Sequence, residues 1–371
     1  MHKSRIIIIV SLIGLLWLMP EQVFCWDGSE PLIADHRAVQ QFEQIPDSWL
    51  ERAKELTVHY GHASHGSQIV CGLNWLERYV DPVKYKFKTR MHWDAFPALP
   101  SQESPPALLM AQESDHPEEY WQGQSTRNET ISNIRSVGFD LSGWSWCGQH
   151  NGDSTVRAYF DGMQSLEDAV PGTMFFYMTG HLGASAYTRN NAVIRQHCID
   201  NNKILFDFSD IESHDPDGNY HPEEDGTGNW CASWVQSNPG AYRNIPSRTE
   251  RGGGGDNWTE SSHAHGLLTI MKAQAFWWMM ARLAGWDGVG DNDPPDNDPP
   301  DDDILYGDVS ENGSISAYDA SLTAQYAVSS ITLTANQITK ADVTGNGDVS
   351  ATDASWIARR SVDAAVVFPV E

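Results

Sequence analysis

The stretch His59-Tyr60-Gly61-His62-Ala63-Ser64-His65-Gly66-Ser67 sets three imidazoles around the Ser64 hydroxyl. Two chemistries are open to such a set. Imidazoles ligate metals, and a serine beside a base attacks acyl groups. The metal option draws on His59, His62 and His65, joined by His181 or by His263 and His265. No His-Glu-x-x-His spacing supports it. The nucleophile option needs a base and donors for an oxyanion. Downstream the chain offers Gly123, then Gly148-Gln149-His150-Asn151, then Glu260, His263 and His265. The bland alternative is a set of polar residues satisfied around strand ends.

A second chemistry lies near the C-terminus. "DVSENGSISAYDAS" from Asp308 and "DVTGNGDVSATDAS" from Asp342 agree at nine of fourteen positions, at an offset of 34. Each copy sets oxygen-bearing side chains at loop positions one, three, five, nine and twelve, with glycine at six. In the first copy these are Asp308, Ser310, Asn312, Ser316 and Asp319, with Gly313. In the second they are Asp342, Thr344, Asn346, Ser350 and Asp353, with Gly347. Position seven supplies a backbone carbonyl, from Ser314 and from Asp348. A hard cation takes six to eight oxygens, and the glycine allows the sharp turn between them, so both loops read as Ca²⁺ sites. Two calcium ions are the cofactors expected here, and none is expected for catalysis.

These groups need elements to hold them. Apolar strand candidates at 56–60, 141–146, 173–179 and 203–208 alternate with helical stretches such as 153–169 and 187–201. "LLTIMKAQAFWWMMARLAGW" closes this region as a long apolar helix ended by Gly285. Strands alternating with helices imply a doubly wound parallel sheet covered on both faces. Ligands of such sheets bind beyond the carboxyl ends of the strands, and Ser64 lies just past one. Each calcium loop runs into a helix, with no convincing helix before it. "DNDPPDNDPPDDD", residues 291–303, holds seven Asp, four Pro and two Asn. It can bury no core and acts as a semi-rigid spacer. The expected layout is a signal peptide over 1–25, an α/β domain over 30–288, a linker over 289–304 and a small all-α domain over 305–371.

The charge balance is 24 Lys and Arg against 50 Asp and Glu, a formal net charge of -26. Nucleic acid is excluded as a partner, because phosphate binding needs clustered cations. Lys3 and Arg5 precede the apolar run 6–19, which Pro20 ends. That is the form of a secretory signal cleaved after Cys25. The run is shorter than the roughly 20 residues a membrane span needs, so the mature chain has no expected span and is secreted. Cys71, Cys147, Cys198 and Cys231 remain, an even number that permits two disulfides in an extracellular protein.

The repeated loops over 306 to about 362 resemble a type I-like dockerin, the calcium-folded module that plugs into a cohesin domain. The resemblance implies two antiparallel helices and assembly onto a scaffold or cell surface. Loop positions ten and eleven would face the cohesin: Ala317 and Tyr318, then Ala351 and Thr352. Ser310 and Thr344 depart from the acidic or amide group usual at position three, which lowers the calcium affinity expected. Over most of 55–285 the order of residues resembles the SGNH (GDSL-like) hydrolases, with their flavodoxin-like three-layer fold. Carried over, Ser64 is the nucleophile. The backbone N–H groups of Ser64 and Gly123, with a side chain near Gly148, form the oxyanion hole. Gln149, His150 and Asn151 compete for the asparagine role. His263 is the base, backed by Glu260, and His265 is its runner-up. No Gly-Asp-Ser precedes the serine; His-Ala-Ser stands instead. Together the resemblances imply a secreted cellulosome-type esterase that removes acyl groups, acetyl foremost, from a polysaccharide. The alternative is a carbohydrate-binding or structural module on the same fold.

Overall fold

In a computed structural model the described residues are 26–92, 98–114, 116–222, 225–253, 255–288, 305–310, 314–363 and 366–370. The expected signal peptide and the Asp/Pro linker lie outside them, as do Asn312 and Gly313 of the first calcium loop.

Seven strands form one parallel sheet in the order β1-β7-β6-β5-β2-β4-β3. They are β1 Leu32–Ala34, β2 Thr57–His62, β3 Phe87–His92, β4 Leu108–Ser114, β5 Leu141–Trp144, β6 Met174–Met178 and β7 Ile204–Phe206. The four strands expected from the apolar runs are β2, β5, β6 and β7. The other three escape pattern reading for physical reasons. β1 has only three residues. Edge strand β3, "FKTRMH", alternates polar side chains. β4 carries Gln112 and Glu113 in its second half, where their polarity is matched by histidines on β2.

Helix Ser67–Tyr79 leaves β2 toward β3, while Asp153–Ala169 leaves β5 in the opposite direction. Right-handed crossovers running in opposite directions put their helices on opposite faces. This is the doubly wound three-layer fold. Asp153–Ala169 buries Val156, Tyr159, Met163 and Leu166, the spacing of one helical face. Gly266–Leu283 is buried almost all round and lies against Ser67–Tyr79. The two helices approach closely at Gly72, where a Cβ would sit 2.1 Å from the Thr269 carbonyl oxygen.

A buried ion pair ties this face together. Lys272 and Glu212 are both fully buried, with Nζ and Oε1 2.7 Å apart. Lys272 also donates to Gln68 Oε1, and Glu212 Oε2 accepts from Leu182 N at 2.8 Å. Burial pushes the Glu212 carboxyl above its ordinary range, against the pull of Lys272. Removing one partner of such a pair leaves an uncompensated buried charge, at a cost of about 3–5 kcal/mol. Lys272→Ala is therefore expected to lower urea stability by that order. The paired change Lys272→Met/Glu212→Leu is expected to cost clearly less than the single one.

Candidate active site and calcium loops

The loops after β2 and β5 depart toward opposite faces and leave a crevice between them, the switch point where such sheets bind ligands. Gly61 pairs with Trp144, so Ser64 and Cys147 each lie three residues past that register point. Ser64 Oγ is 3.0 Å from Cys147 Sγ, and His65 Nδ1 is 3.2 Å from the same sulfur. All three residues are partly exposed.

An imidazole row stands behind them. His65 stacks on His181 at 4.0 Å between ring centres and on His263 at 4.6 Å. His150 meets His181 edge-on at 5.4 Å. Burial, then the neighbouring imidazoles, push His65 down to about 2. Burial and His181 push His150 down to about 3, and burial lowers His181 as well. These three rings are neutral at neutral pH.

The residues drawn from the sequence divide between this crevice and other places. His263 joins the row in a left-handed backbone conformation, φ 67°. It is held where β8 (Arg248–Thr249) pairs with β9 (Ser261–Ser262). Its carboxylate neighbour is Glu250, at 3.5 Å. Glu260 pairs with Arg251 instead, because strand pairing turns it away from His263. His265 is a helix cap: its Nδ1 accepts from Leu267 N at 3.1 Å. Gly123 caps helix Gln124–Val137 in the open, and a Cβ there would meet nothing within 4 Å. Gly148 is left-handed at φ 86°, and a Cβ on it would come within 3.9 Å of His181 Nε2. Gln149 Oε1 accepts from Cys147 N at 2.6 Å. His150 is buried with Nε2 on the His181 carbonyl oxygen at 3.1 Å, and Asn151 is exposed.

Pattern reading missed Cys147 as a site residue, since an even cysteine count points to disulfides. No disulfide forms among the described residues. It also passed over the glycine run after Arg251. A Cβ on Gly252 would lie 3.5 Å from Ser64 Cβ, and one on Gly253 would strike Ser67 Oγ. The first is ordinary contact, so it is at Gly253, against Ser67, that the loop needs glycine.

The other histidines of the opening stretch are structural. His59 bonds Ser142 at 2.8 Å and Glu113 at 3.1 Å. His62 bonds Gln112 at 2.8 Å. Among the described residues one trio of possible metal ligands comes together: His36, Asp210 and His214. Its rings are stacked 3.8 Å apart and 12° from parallel. Asp210 lies against both rings, 2.7 Å from His36 Nδ1 and 3.5 Å from His214 Nδ1.

In the tail, helices Ala317–Ala327 and Ala351–Arg360 pack together as expected. A third helix, Ala335–Ala341, precedes the second loop, started by a Thr334–Gln337 capping box. Seven residues carry too little periodicity to announce it. Asp319 accepts from Ser310 N at 2.7 Å and Ser316 N at 2.9 Å. Asp353 accepts from Thr344 N at 3.1 Å and Ser350 N at 2.8 Å. Ser310 Oγ lies 3.4 Å from Asp308 Oδ1, and Thr344 Oγ1 lies 3.3 Å from Asp342 Oδ1. Asp342 also takes the N–H groups of Asn346 and Gly347, and Asn346 Oδ1 takes that of Asp348. Asp319 and Asp353 are fully buried, and neither forms an ion pair among the described residues. Buried carboxylates in a ring of oxygens fit a hard cation.

The family description of the dockerin type I domain matches residues 306–360. No curated protein and no solved structure matches the chain. The dockerin domain brings calcium binding and a cohesin partner. No helix among the described residues is long and apolar enough to cross a membrane.

Two outcomes follow. Asp353→Ala removes a buried carboxylate from the second loop and is expected to weaken calcium binding by about tenfold or more, roughly 1.4 kcal/mol, as read by calorimetry. The neutral imidazoles make stability depend on pH. Unfolded, His65 and His150 take protons near 6.5; folded, only near 2 and 3. Their contribution is complete above about 6.5 and is lost as pH falls, by up to about 1.4 kcal/mol per pH unit for each ring. His150→Phe is expected to flatten that slope in urea denaturation between about pH 6.5 and 5.

Proposed function

We propose that this chain is a secreted, cohesin-docked hydrolase of acyl esters on a polysaccharide, acetyl esters foremost. The observation that carries the reading is the hydrogen-bonded set Ser64, Cys147 and His65 at the switch point of the sheet. Two side chains there can attack an acyl carbonyl, the Ser64 hydroxyl and the Cys147 thiol. Neutral imidazoles stand beside them to take the proton. The resemblance to SGNH hydrolases adds the order of elements, and the dockerin adds the setting. The polysaccharide is inferred from that setting alone.

In this reading residues 1–25 are removed on export, 30–288 form the catalytic domain, and 289–304 form the tether. Residues 305–371 bind two calcium ions through Asp308, Ser310, Asn312, Ser314, Ser316 and Asp319, and through Asp342, Thr344, Asn346, Asp348, Ser350 and Asp353. Ala317, Tyr318, Ala351 and Thr352, all exposed at helix starts, face the cohesin.

A carbohydrate-binding module on the same fold is the second reading. One observation favours it: among the described residues no imidazole nitrogen hydrogen-bonds Ser64 Oγ. Acetate release from acetylated xylan separates the two. The hydrolase is expected to release acetate, and His65→Ala to lower kcat/KM by about a hundredfold or more, the scale of a lost general base. Xylan binding without acetate release would leave the binding module.

A further inference from the structure

We propose that Cys147 is the nucleophile of this crevice, with His65 as its base and acyl esters as its substrates. The proposal rests on the acyl-hydrolase reading and names the attacking atom within it.

Reach comes first. A nucleophile and its base must lie within hydrogen-bond distance. Among the described residues Ser64 Oγ hydrogen-bonds only the thiol, at 3.0 Å. Cys147 Sγ has an imidazole nitrogen at 3.2 Å, on a ring clamped between His181 and His263. Chemistry points the same way. A hydroxyl is a weak nucleophile until a base takes its proton, whereas sulfur is intrinsically the stronger nucleophile of the two. Setting is third. Cys147 is partly exposed at the crevice, while Cys71, Cys198 and Cys231 are buried. Burial pushes the Cys71 thiol up to about 12 and raises Cys198 well above its usual value. Gly148 leaves open the space beside Cys147, where a larger side chain would approach Tyr187 and His181.

The reaction balances with water alone. The Cys147 thiol gives its proton to His65 as Sγ attacks the acyl carbonyl. The C–O bond to the glycan breaks, and the leaving oxygen takes that proton, giving a thioester. Water then attacks the thioester with His65 again as proton acceptor. The carboxylic acid leaves, and the returning proton restores the thiol. Ser64 Oγ, beside the sulfur, is a positioning residue that donates to the thiolate.

The test has two arms on the full chain. In the first, iodoacetamide modifies the native protein and peptide mapping follows each thiol. Cys147 is expected to react at least about a hundredfold faster than the buried cysteines, and His65→Ala to slow it at least about tenfold. In the second, an aryl acetate is turned over and quenched. The acetyl group is expected on Cys147, released by neutral hydroxylamine as a thioester. Cys147→Ala is expected to lose at least about a hundredfold in kcat/KM and Ser64→Ala no more than about tenfold. Cys147→Ser, with an unchanged thermal midpoint, guards against misfolding. Acetyl on Ser64, a Cys147→Ala enzyme that keeps its activity, or a Cys147 that reacts no faster than the buried thiols would each overturn the assignment. Fast, His65-dependent alkylation in a chain that cleaves neither aryl acetate nor acetylated xylan would support the activated thiol and overturn the acyl-ester reading.

Discussion

The buried pair Lys272–Glu212 is the contact on which the geometry of the crevice depends. Two opposite charges have been taken fully out of water. That is tolerable only where each finds close partners. The partners come from separated parts of the chain. Gln68, on the helix that starts just after Ser64 and His65, accepts from Lys272 and donates to the Ser262 carbonyl oxygen at 2.6 Å. Leu182 N, one residue past His181, donates to Glu212. The segments that carry His65, His181 and His263 are thus all tied to one charge pair. The sheet sets where the strands end, and the pair sets how the loops beyond them are held.

The crevice so held is a place for neutral rings. Burying His65, His150 and His181 close together makes the protonation of each costly, by desolvation first and by repulsion from neighbouring charges. A row of this kind cannot share two protons cheaply, yet it accepts one from an adjacent acid that becomes an anion. In the proposed reaction the adjacent acid is the Cys147 thiol, and the negative charge it leaves would lie against His65. The left-handed backbone of His263 shows strain held in the same place, where the short β8–β9 pairing presents its ring to His65.

The dockerin follows a different logic. Its core is small: Val309, Ala320, Ala341, Val343, Ala354, Ile357 and Phe368 are its buried apolar members among the described residues. So few residues bury little apolar surface, and the two loops bring buried carboxylates into that fold. A cation both neutralises them and closes the loops, so binding free energy becomes folding free energy.

Much of this was legible in the residues alone. The calcium loops could be read because every ligand lies within one short stretch, at spacings set by the ion's coordination shell. The parallel sheet could be read because β6 and β7 are apolar runs and β2 and β5 carry apolar residues among small and polar ones, with helical stretches between them. Its strands β1 and β3 were hidden by shortness and edge polarity. The crevice was half legible. Ser64 and His263 could be named from their order along the chain. The contact of Cys147 with Ser64 and His65 could not, because it joins positions more than eighty residues apart in sequence, and only the pairing of β2 with β5 brings them to one register. The same holds for the carboxylate near His263. The spacing of residues selects Glu260, but the parallel pairing of β8 with β9 gives the place to Glu250 and sends Glu260 to Arg251. Local spacing determines what local chemistry needs; which side chains meet across a parallel sheet is decided by strand register, and that is a tertiary property.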